Sequence, residues 1–510
     1  MRLAIGRQTG KAAKLAIILA AQVGLLTGAA TAESLSEALV SAYMTNPVLD
    51  AQRASLRASD EEVPRARAGY RPTITGTADT ALQHNNTKPP SVQDGELHPK
   101  GYQITMTQPV FRGFRVYNTV NVAEAAVRSA RQQLRIVEQQ TLQDAVTAYM
   151  DVVRDLAIVR VRENNVRVLN EQVRATQAQF AVGEVTRTDV AQAEARRAAA
   201  VSALDLARSN LQTSRATFER VIGHAPGALV DQQPVDRLLP RALQQAIEIG
   251  MTEAPSIVQA IYNEQAARHQ IDLIRGELLP SAQIDTQYNH RYDTSRTVDQ
   301  SESFSVTGRV TWQFWNGGEV EARIRQAKHN SVVRLQQVEQ NRSQIQASVV
   351  QAWSSLQAFR AAVRSDQEQV QANQTALTGV REEYRVGQRT LLDVLNAEQE
   401  LLNSQVQLIT DRRNLVVASY ALLQAMGRLE PTVLGLATQV YDPTLHYQEV
   451  KHKWFGSKVE MVDGKKDYSQ ESLKDNSSLP WKANVVRPED EALIQRKAPS
   501  NWSTTSRPTK

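Results

Sequence analysis

An internal repeat constrains the fold of this chain more than any other feature of its sequence. The stretch FAVGEVTRTDVAQAE begins at Phe180, and YRVGQRTLLDVLNAE begins at Tyr384, which is an offset of 204 residues (384 minus 180). With no gap, the same offset aligns Gly183 with Gly387, Thr186 with Thr390, Asp189 with Asp393, Asn210 with Asn414 and Gly223 with Gly427. Agreement over this length indicates that the fold is a duplication of one structural unit.

The positions of proline predict where the long helices lie. Proline is absent from residues 110–225 and 281–430, and it disrupts helices because it lacks the N–H donor. Each interval has a helical pattern with one glycine-containing interruption near its middle, VGEVT in the first and VGQRT in the second. We therefore expect two helical hairpins whose first helix alone is roughly 90 Å long. The predicted boundaries are 117–223 with a tip at 182–189, and 319–427 with a tip at 386–393.

The period of the apolar residues indicates how these helices pack. In the second interval, one seam alternates steps of four and three residues, which is the heptad spacing of a coiled coil. Its members are Ile345, Val349, Ala352, Leu356, Phe359, Val363, Asp366, Val370, Asn373, Leu377, Val380 and Tyr384. The repeat-equivalent seam runs from Thr141 to Phe180, and a stripe from Val394 to Leu422 follows the second turn. The helices of each hairpin are therefore expected to pack antiparallel.

Three positions of the duplicated turn have a direct structural explanation. They are Gly183 and Gly387, Thr186 and Thr390, and Asp189 and Asp393. The glycine can adopt the positive φ that ends a helix, and the threonine can cap the helix that follows. The aspartate lies in the first turn of that helix, where the helix dipole favours a negative charge. Helix termination alone would account for these residues.

Two stretches with a period of two precede each hairpin and predict β-strands. The predicted strands are 70–85, 101–111, 280–294 and 303–315, with polar loops at 85–100 and 295–303. One face is apolar and the other polar, which suits a β-barrel with lipid outside and water inside. A half-buried sheet of a soluble protein is the alternative. Because four strands cannot enclose a lumen and open edges are unfavourable in lipid, a barrel needs further chains, and a trimer would supply about twelve strands.

The two ends of the chain differ from the repeats. Residues 1–32 have the pattern of a secretory signal peptide, with basic residues before an apolar run that ends at Ala32. A membrane anchor is the weaker alternative because Gln22 and two glycines interrupt the run. The chain contains no cysteine, so disulfides and a lipid-bearing thiol are not expected. Residues 432–510 are polar, have neither period, and are predicted to be a disordered extension.

Composition and motifs argue against several classes of function. The formal charge is +5, but arginine and glutamate are interspersed along the helices without a basic block, so no nucleic-acid partner is expected. The eight histidines are dispersed, and nucleotide-binding, hydrolase and metal-site motifs are missing, so neither an enzyme nor a bound cofactor is expected. A periplasmic coiled-coil adaptor or structural protein would explain the hairpins, although not the paired amphipathic strands.

The order of these elements resembles the TolC family of outer-membrane channel-tunnels. The most specific features are the tip motifs and TQPVFRG from Thr107, which returns as TWQFWNG from Thr311; the resemblance extends over about 33–431. It implies a mainly α-helical homotrimer with membrane β-structure, in which a twelve-stranded barrel in outer-membrane lipid continues into a twelve-helix tunnel. The repeats would be 33–229 and 230–431. The implied function is a passive export duct for drugs, secreted proteins or both, opened by a periplasmic adaptor and an inner-membrane ABC or proton-driven transporter.

The same resemblance assigns roles at the closed entrance of the tunnel. Bonds between neighbouring hairpins would hold the tips together, with Tyr384 donating to Asp189 and Arg389 reaching Thr188 and Asp189. Each exposed pair contributes little alone, but three equivalent sets around one ring would act together. Polar groups on a helix surface are the ordinary alternative for these residues.

An acidic constriction is the second implied feature of the entrance. Three copies of Asp393 facing one lumen would attract cations. One helical turn later, Asn396 stands where some family members have a second aspartate. A double acidic ring therefore does not follow from the resemblance.

Overall fold

The first repeat consists of three short helices, four strands and one long helical hairpin. The computed structural model describes residues 32–92 and 94–457, so the predicted signal peptide, apart from Ala32, lies outside the described residues. The elements are α1 Leu35–Thr45, α2 Pro47–Asp60, α3 Glu62–Arg67, β1 Thr73–Thr80, β2 Gln83–Asn85, β3 Gly95–Leu97, β4 Lys100–Arg112, α4 Arg115–Ala181 and α5 Arg187–Ile222.

The second repeat has the same order of helices, strands and hairpin. Its elements are α6 Leu243–Glu253, α7 Pro255–Arg275, β5 Ser281–Ser295, β6 Val298–Thr311, α8 Glu319–Arg385 and α9 Leu391–Ala425, and the short helix α10 Leu445–Val450 follows. Single 3₁₀ turns lie at Ala68–Tyr70, Asp236–Leu238 and Gly276–Leu278. The structure thus contains both predicted hairpins, and their outer ends lie within two residues of the predicted boundaries.

Most heptad positions are buried or half-buried along both hairpins, whereas Phe180 at the first tip exposes 46% of its surface. Helices α4 and α8 are each 67 residues long, which corresponds to roughly 100 Å. In the predicted seams, Ala145 is fully buried, and Val152 and Leu356 each expose 1% of their surface. The return helix α5 packs along α4, and α9 packs along α8. Because these side chains fill spaces on the facing helix, each hairpin forms the predicted antiparallel coiled coil.

The four long strands form one antiparallel sheet in the order β1-β4-β5-β6, and β2 pairs with β3 separately. The central pair, β4 with β5, joins the two repeats directly through backbone hydrogen bonds, with Thr105 opposite Gln287. Strands β1 and β6 are the two edges of this sheet. The repeats are therefore connected by a strand ladder as well as by the chain itself.

Several strand boundaries differ from the prediction, and β6 ends at Thr311 and not at 315. The predicted loop 295–303 is a two-residue turn, and β6 already begins at Val298. The first residues of β6 are mostly polar and exposed, so no alternation of apolar side chains marks them as a strand. The predicted strand 70–85 is divided into β1 and β2, with a break after Thr80.

Part of the predicted C-terminal extension packs against the first repeat. His446 of α10 is buried, and its Nδ1 lies 3.1 Å from Asp60 Oδ2. The Tyr441 ring lies 5.2 Å from the Arg53 guanidinium. The expected disorder therefore does not hold for residues 432–451, because partners nearly 400 positions earlier are invisible to local composition. A separate unit begins at His452, and the rest of the predicted extension, 458–510, lies outside the described residues.

A buried carboxyl group lies beside this contact. Glu138 of α4 exposes 8% of its surface, and its Oε1 accepts a hydrogen bond from the Tyr43 hydroxyl at 3.3 Å. Burial raises the pKa of Glu138 to about 7, while the positive charge of Arg53 opposes the rise. The folded chain therefore holds the Glu138 proton more tightly than the unfolded chain does.

We expect stability to depend on pH through Glu138. The folded pKa of Glu138 lies above the ordinary value of 4.5. The contribution of this group to the stability of the fold is therefore complete below about pH 4.5 and is lost as the pH rises through about 7. The loss can reach about 3 kcal/mol. Glu138→Gln keeps an acceptor for Tyr43 without titrating, so its Tm, measured by circular dichroism, should fall less than that of wild type between about pH 5 and about pH 8. Equal falls in both proteins would contradict this assignment.

Candidate functional site

Each hairpin ends in a tight turn built from the duplicated motif. Gly183 has a φ of 82° and Gly387 a φ of 76°, the left-handed region that glycine adopts without strain. The amide of Gly183 donates to the Phe180 carbonyl, and that of Gly387 donates to the Tyr384 carbonyl, both at 3.0 Å. An added Cβ would meet nothing within 4 Å at either glycine. The positive φ alone therefore explains the residue type.

A capping box begins each return helix. The amide of Asp189 donates to Thr186 Oγ1 at 3.3 Å, and the amide of Thr186 donates to Asp189 Oδ2 at 2.9 Å. Thr390 and Asp393 repeat this arrangement at 3.3 Å and 3.0 Å. The bonds occupy N–H groups that lack an intrahelical acceptor. In the second copy, the bonds from Thr390 hold the pKa of Asp393 below its ordinary value. The predicted capping role is confirmed.

The side chains predicted to lock the tips have different partners within one subunit. The Tyr384 hydroxyl donates to Gln179 Oε1 at 3.4 Å, which links the first helices of the two hairpins. Arg389 Nε lies 2.8 Å from Glu383 Oε2 and so ties the second turn to its own helix. The predicted bond from Tyr384 to Asp189 is thus replaced by one to Gln179.

Local packing explains this difference. The Asp189 carboxylate already accepts two hydrogen bonds from Thr186. Tyr384 packs against an apolar cluster at the base of the tips, whose buried members are Leu169, Val173, Ala193, Leu391 and Leu395. Thr188 is exposed in the first turn of α5. Contact of Arg389 with Thr188 or Asp189 of a neighbouring subunit stays a prediction.

A second bond between the hairpins involves Asn396. Arg196 Nη2 on α5 donates to Asn396 Oδ1 on α9 at 2.9 Å. Sequence reasoning missed both Arg196 and Gln179 as partners. The repeat held a signal for one of them, because Gln179 is the equivalent of Glu383 (383 minus 204), and both positions accept a bond from the second tip. Asn396 therefore links the hairpins within the subunit.

The sheet separates apolar from polar side chains, as predicted. The strand register places Ile104 opposite Tyr288, which in turn lies opposite Phe304. On the same face, Ile74 exposes 70% of its surface and Val310 exposes 73% in the single subunit. The other face carries mainly threonine, serine, glutamine and asparagine. Such a sheet is suited to contact with an apolar medium on one side and water on the other.

The described residues contain neither a cluster of metal ligands nor a membrane-spanning helix. Within 32–92 and 94–457, histidine and acidic side chains nowhere form a group of three that could hold a metal ion. Over the same residues, every helix is too short or too polar to span a bilayer.

Known proteins match the chain over both repeats. The family described as "Outer membrane efflux protein" matches residues 38–224 and 247–428. The outer membrane efflux protein BepC of Brucella suis biovar 1 is 39% identical over 459 residues, which are 89% of this chain and 98% of that protein. TolC of Escherichia coli is 22% identical over 456 residues, 84% of this chain and 89% of that protein.

A solved structure agrees with the fold. The outer membrane channel CmeC of Campylobacter jejuni matches with a TM-score of 0.71 and 15% identity, covering 82% of this chain and 89% of that chain. This likeness extends the sequence agreement to the arrangement of sheet and hairpins. The chain is therefore an outer-membrane protein that belongs to the TolC family of outer membrane efflux proteins.

Proposed function

We propose that three copies of this chain form one channel and that it serves as the passive exit duct of a tripartite export system. The observation that carries the proposal is the pair of open sheet edges, β1 and β6. In lipid, each unpaired backbone group on an edge is unfavourable by several kcal/mol. Pairing β6 of one copy with β1 of the next satisfies both edges and joins three sheets into a twelve-stranded barrel, wide enough to begin to enclose water.

The two faces of the sheet fit this closure. The apolar face would contact lipid, and the polar face would line the lumen. Aromatic side chains occur near both ends of the sheet, with Tyr102 and Tyr292 on the strands near the loops and Trp312 and Phe314 just after the end of β6, near the helices. Amphipathic rings of this kind favour the two membrane–water interfaces. With the hairpins in the periplasm, the loops between the strands would lie outside the cell.

The hairpins would continue the barrel as a tunnel with a closed entrance. Each subunit contributes four long helices, so three subunits give twelve. The bonds Tyr384–Gln179 and Arg196–Asn396 hold neighbouring hairpins together at the tips, and Asp393 would contribute to an acidic constriction. An open state needs these bonds to be replaced by contacts with another protein.

The tips offer a surface for such a partner. Val182 exposes 72% of its surface and Val386 exposes 70%, one on each turn. We expect a periplasmic adaptor to contact these apolar side chains and an inner-membrane transporter, of the ABC or proton-driven type, to provide the energy. The cargo would be small molecules, secreted proteins or both. Crosslinking in cells followed by copurification would identify the transporter and with it the cargo class.

Extraction and conductance test the proposal. We expect the full chain to resist extraction by salt, to require detergent, and to run as a heat-modifiable trimer that forms single channels in planar bilayers. The second candidate, a periplasmic coiled-coil adaptor or structural protein, is favoured only by the hairpins. It would wash off membranes with salt and would conduct no ions, and that result would overturn the channel proposal.

A further inference from the structure

The polar face of the sheet is ordered in ranks that cross all four strands. Each rank contains one residue from β1, β4, β5 and β6, because the strand registers are continuous. The two middle ranks are Thr77, Gln103, Asn289 and Ser303, and Thr75, Thr105, Gln287 and Ser305. All eight side chains are uncharged hydroxyl or amide groups. The middle of this face therefore carries no charge.

Outside these two ranks, four charged side chains of the same face form two pairs. Nearer the loops, Arg291 makes a two-pronged contact with Asp79, with N–O distances of 3.1 Å and 3.2 Å. Nearer the helices, Arg309 Nε lies 3.5 Å from Asp285 Oδ2. Each pair joins strands that belong to the same subunit. The positive and negative charges on this part of the face therefore cancel.

The loop-side pair depends on a glycine between its partners. Asp79, Gly101 and Arg291 share one rank, so the Arg291 side chain must cross β4 to reach Asp79 on β1. A Cβ at Gly101 would lie 2.9 Å from Arg291 Cγ and 2.5 Å from the His290 carbonyl oxygen. Glycine leaves the path of the guanidinium open. Glycine at position 101 is therefore compatible with the contact between Arg291 and Asp79.

Stability does not explain these pairs. The side chains of Arg291 and Asp79 expose 33% and 48% of their surface, and those of Arg309 and Asp285 expose 63% and 20%. Exposed ion pairs stabilise a fold little, because water screens them and ordering the side chains opposes them. The pairs do, however, change the electrostatic potential of this face, because each arginine offsets the charge of one aspartate.

We propose that Arg291 and Arg309 are specificity-determining residues, which keep the barrel wall electrically neutral by compensating Asp79 and Asp285. The inference rests on the proposed function, because only a closed barrel turns this face into a lumen. A neutral wall of hydroxyl and amide groups admits hydrophilic solutes of either charge, and selection by charge is left to the acidic tips. The barrel would thus pass anionic and cationic cargo alike.

Ion selectivity of charge-unbalanced variants tests this inference. All proteins carry Asp393→Asn, which removes the carboxylate expected at the constriction while an amide oxygen can still accept the bond from the Thr390 amide. Arg291→Gln leaves three uncompensated carboxylates in the trimer, so the cation-to-anion permeability ratio should rise roughly twofold or more. Asp79→Asn should lower the ratio by a similar factor. The double variant Asp79→Asn/Arg291→Gln restores neutrality and should return to the ratio of the parent.

Reversal potentials under a salt gradient in planar bilayers measure this ratio, and heat-modifiable mobility verifies that each variant assembles. If the parent conducts and both single variants keep its ratio, the inference is overturned while the channel proposal stands. The same holds if the double variant retains the shift of either single variant. If the parent forms no channel at all, both the proposed function and this inference are overturned.

Discussion

Replacing Tyr384 with Phe and Arg389 with Ser in one protein is expected to raise the conductance of the resting channel severalfold. The first change removes the hydroxyl that bonds to Gln179 across the two hairpins, and the second removes the ion pair that ties the turn to Glu383. Each exposed bond is weak alone. In the proposed trimer, three copies of both losses would act on a single opening, and the Phe ring keeps the apolar packing of the tips. Single-channel recording of the purified variant in planar bilayers measures the effect.

A matched control separates gate loosening from general loss of charge. Arg385→Ser makes the same chemical change four residues earlier, where the arginine pairs with Glu382 of its own helix at 3.0 Å. This pair joins no second element, so the control should keep the resting conductance of wild type. A resting conductance of the double variant equal to that of wild type would exclude a role for these side chains in closure.

Arg53→Ala is expected to destabilise the folded chain by about 3 kcal/mol. The Arg53 guanidinium lies 4.7 Å from the Tyr43 ring and 5.2 Å from the Tyr441 ring, and the residue exposes only 4% of its surface. It also donates to the Tyr43 carbonyl at 3.3 Å. Alanine removes both ring contacts and the positive charge that opposes protonation of Glu138. We expect a Tm lower by roughly 3 °C in detergent.

Limited proteolysis gives this prediction a local readout. In Arg53→Ala, cleavage within residues 432–451 should become faster, because Tyr441 loses its stacking partner. Arg53→Lys keeps the charge but not the planar group that stacks on rings, so it should lie between alanine and wild type. Unchanged cleavage together with an unchanged Tm would mean that Arg53 does not hold the C-terminal segment.

Local periodicity predicted the elements whose environment is uniform along their length. The proline-free intervals and the heptad seams within them identified both hairpins, to within two residues at their outer ends, because one side of each helix packs against a neighbour along most of its length. The start of β6 escaped prediction since its residues are exposed and mostly polar. A strand without a buried face has no apolar period to detect. The order of strands in the sheet also needed tertiary information that the pattern lacks.

At the tips, contacts between residues close in sequence were predicted, and contacts between distant residues were not. The capping boxes span three residues, so the sequence alone predicted Thr186 with Asp189 and Thr390 with Asp393. The partners of Tyr384 and Asn396 lie about 200 positions away and were not identified. His446 and Asp60 are separated further still. Contacts of this kind depend on how whole helices lie against each other.

The ladder between β4 and β5 has a consequence for the symmetry of the assembly. Within a chain, the first repeat pairs with the second through these strands, and the proposed closure pairs β6 with β1 of the next copy in the same antiparallel manner. The ring then consists of six near-equivalent units, and six half-length chains would satisfy the same pairing as a hexamer. Because one chain carries two units, the two tips can differ in sequence. For example, Arg389 of the second repeat corresponds to Val185 of the first. In the proposed ring, an arginine at this position would occur on every second hairpin, so the six tips would be of two alternating kinds.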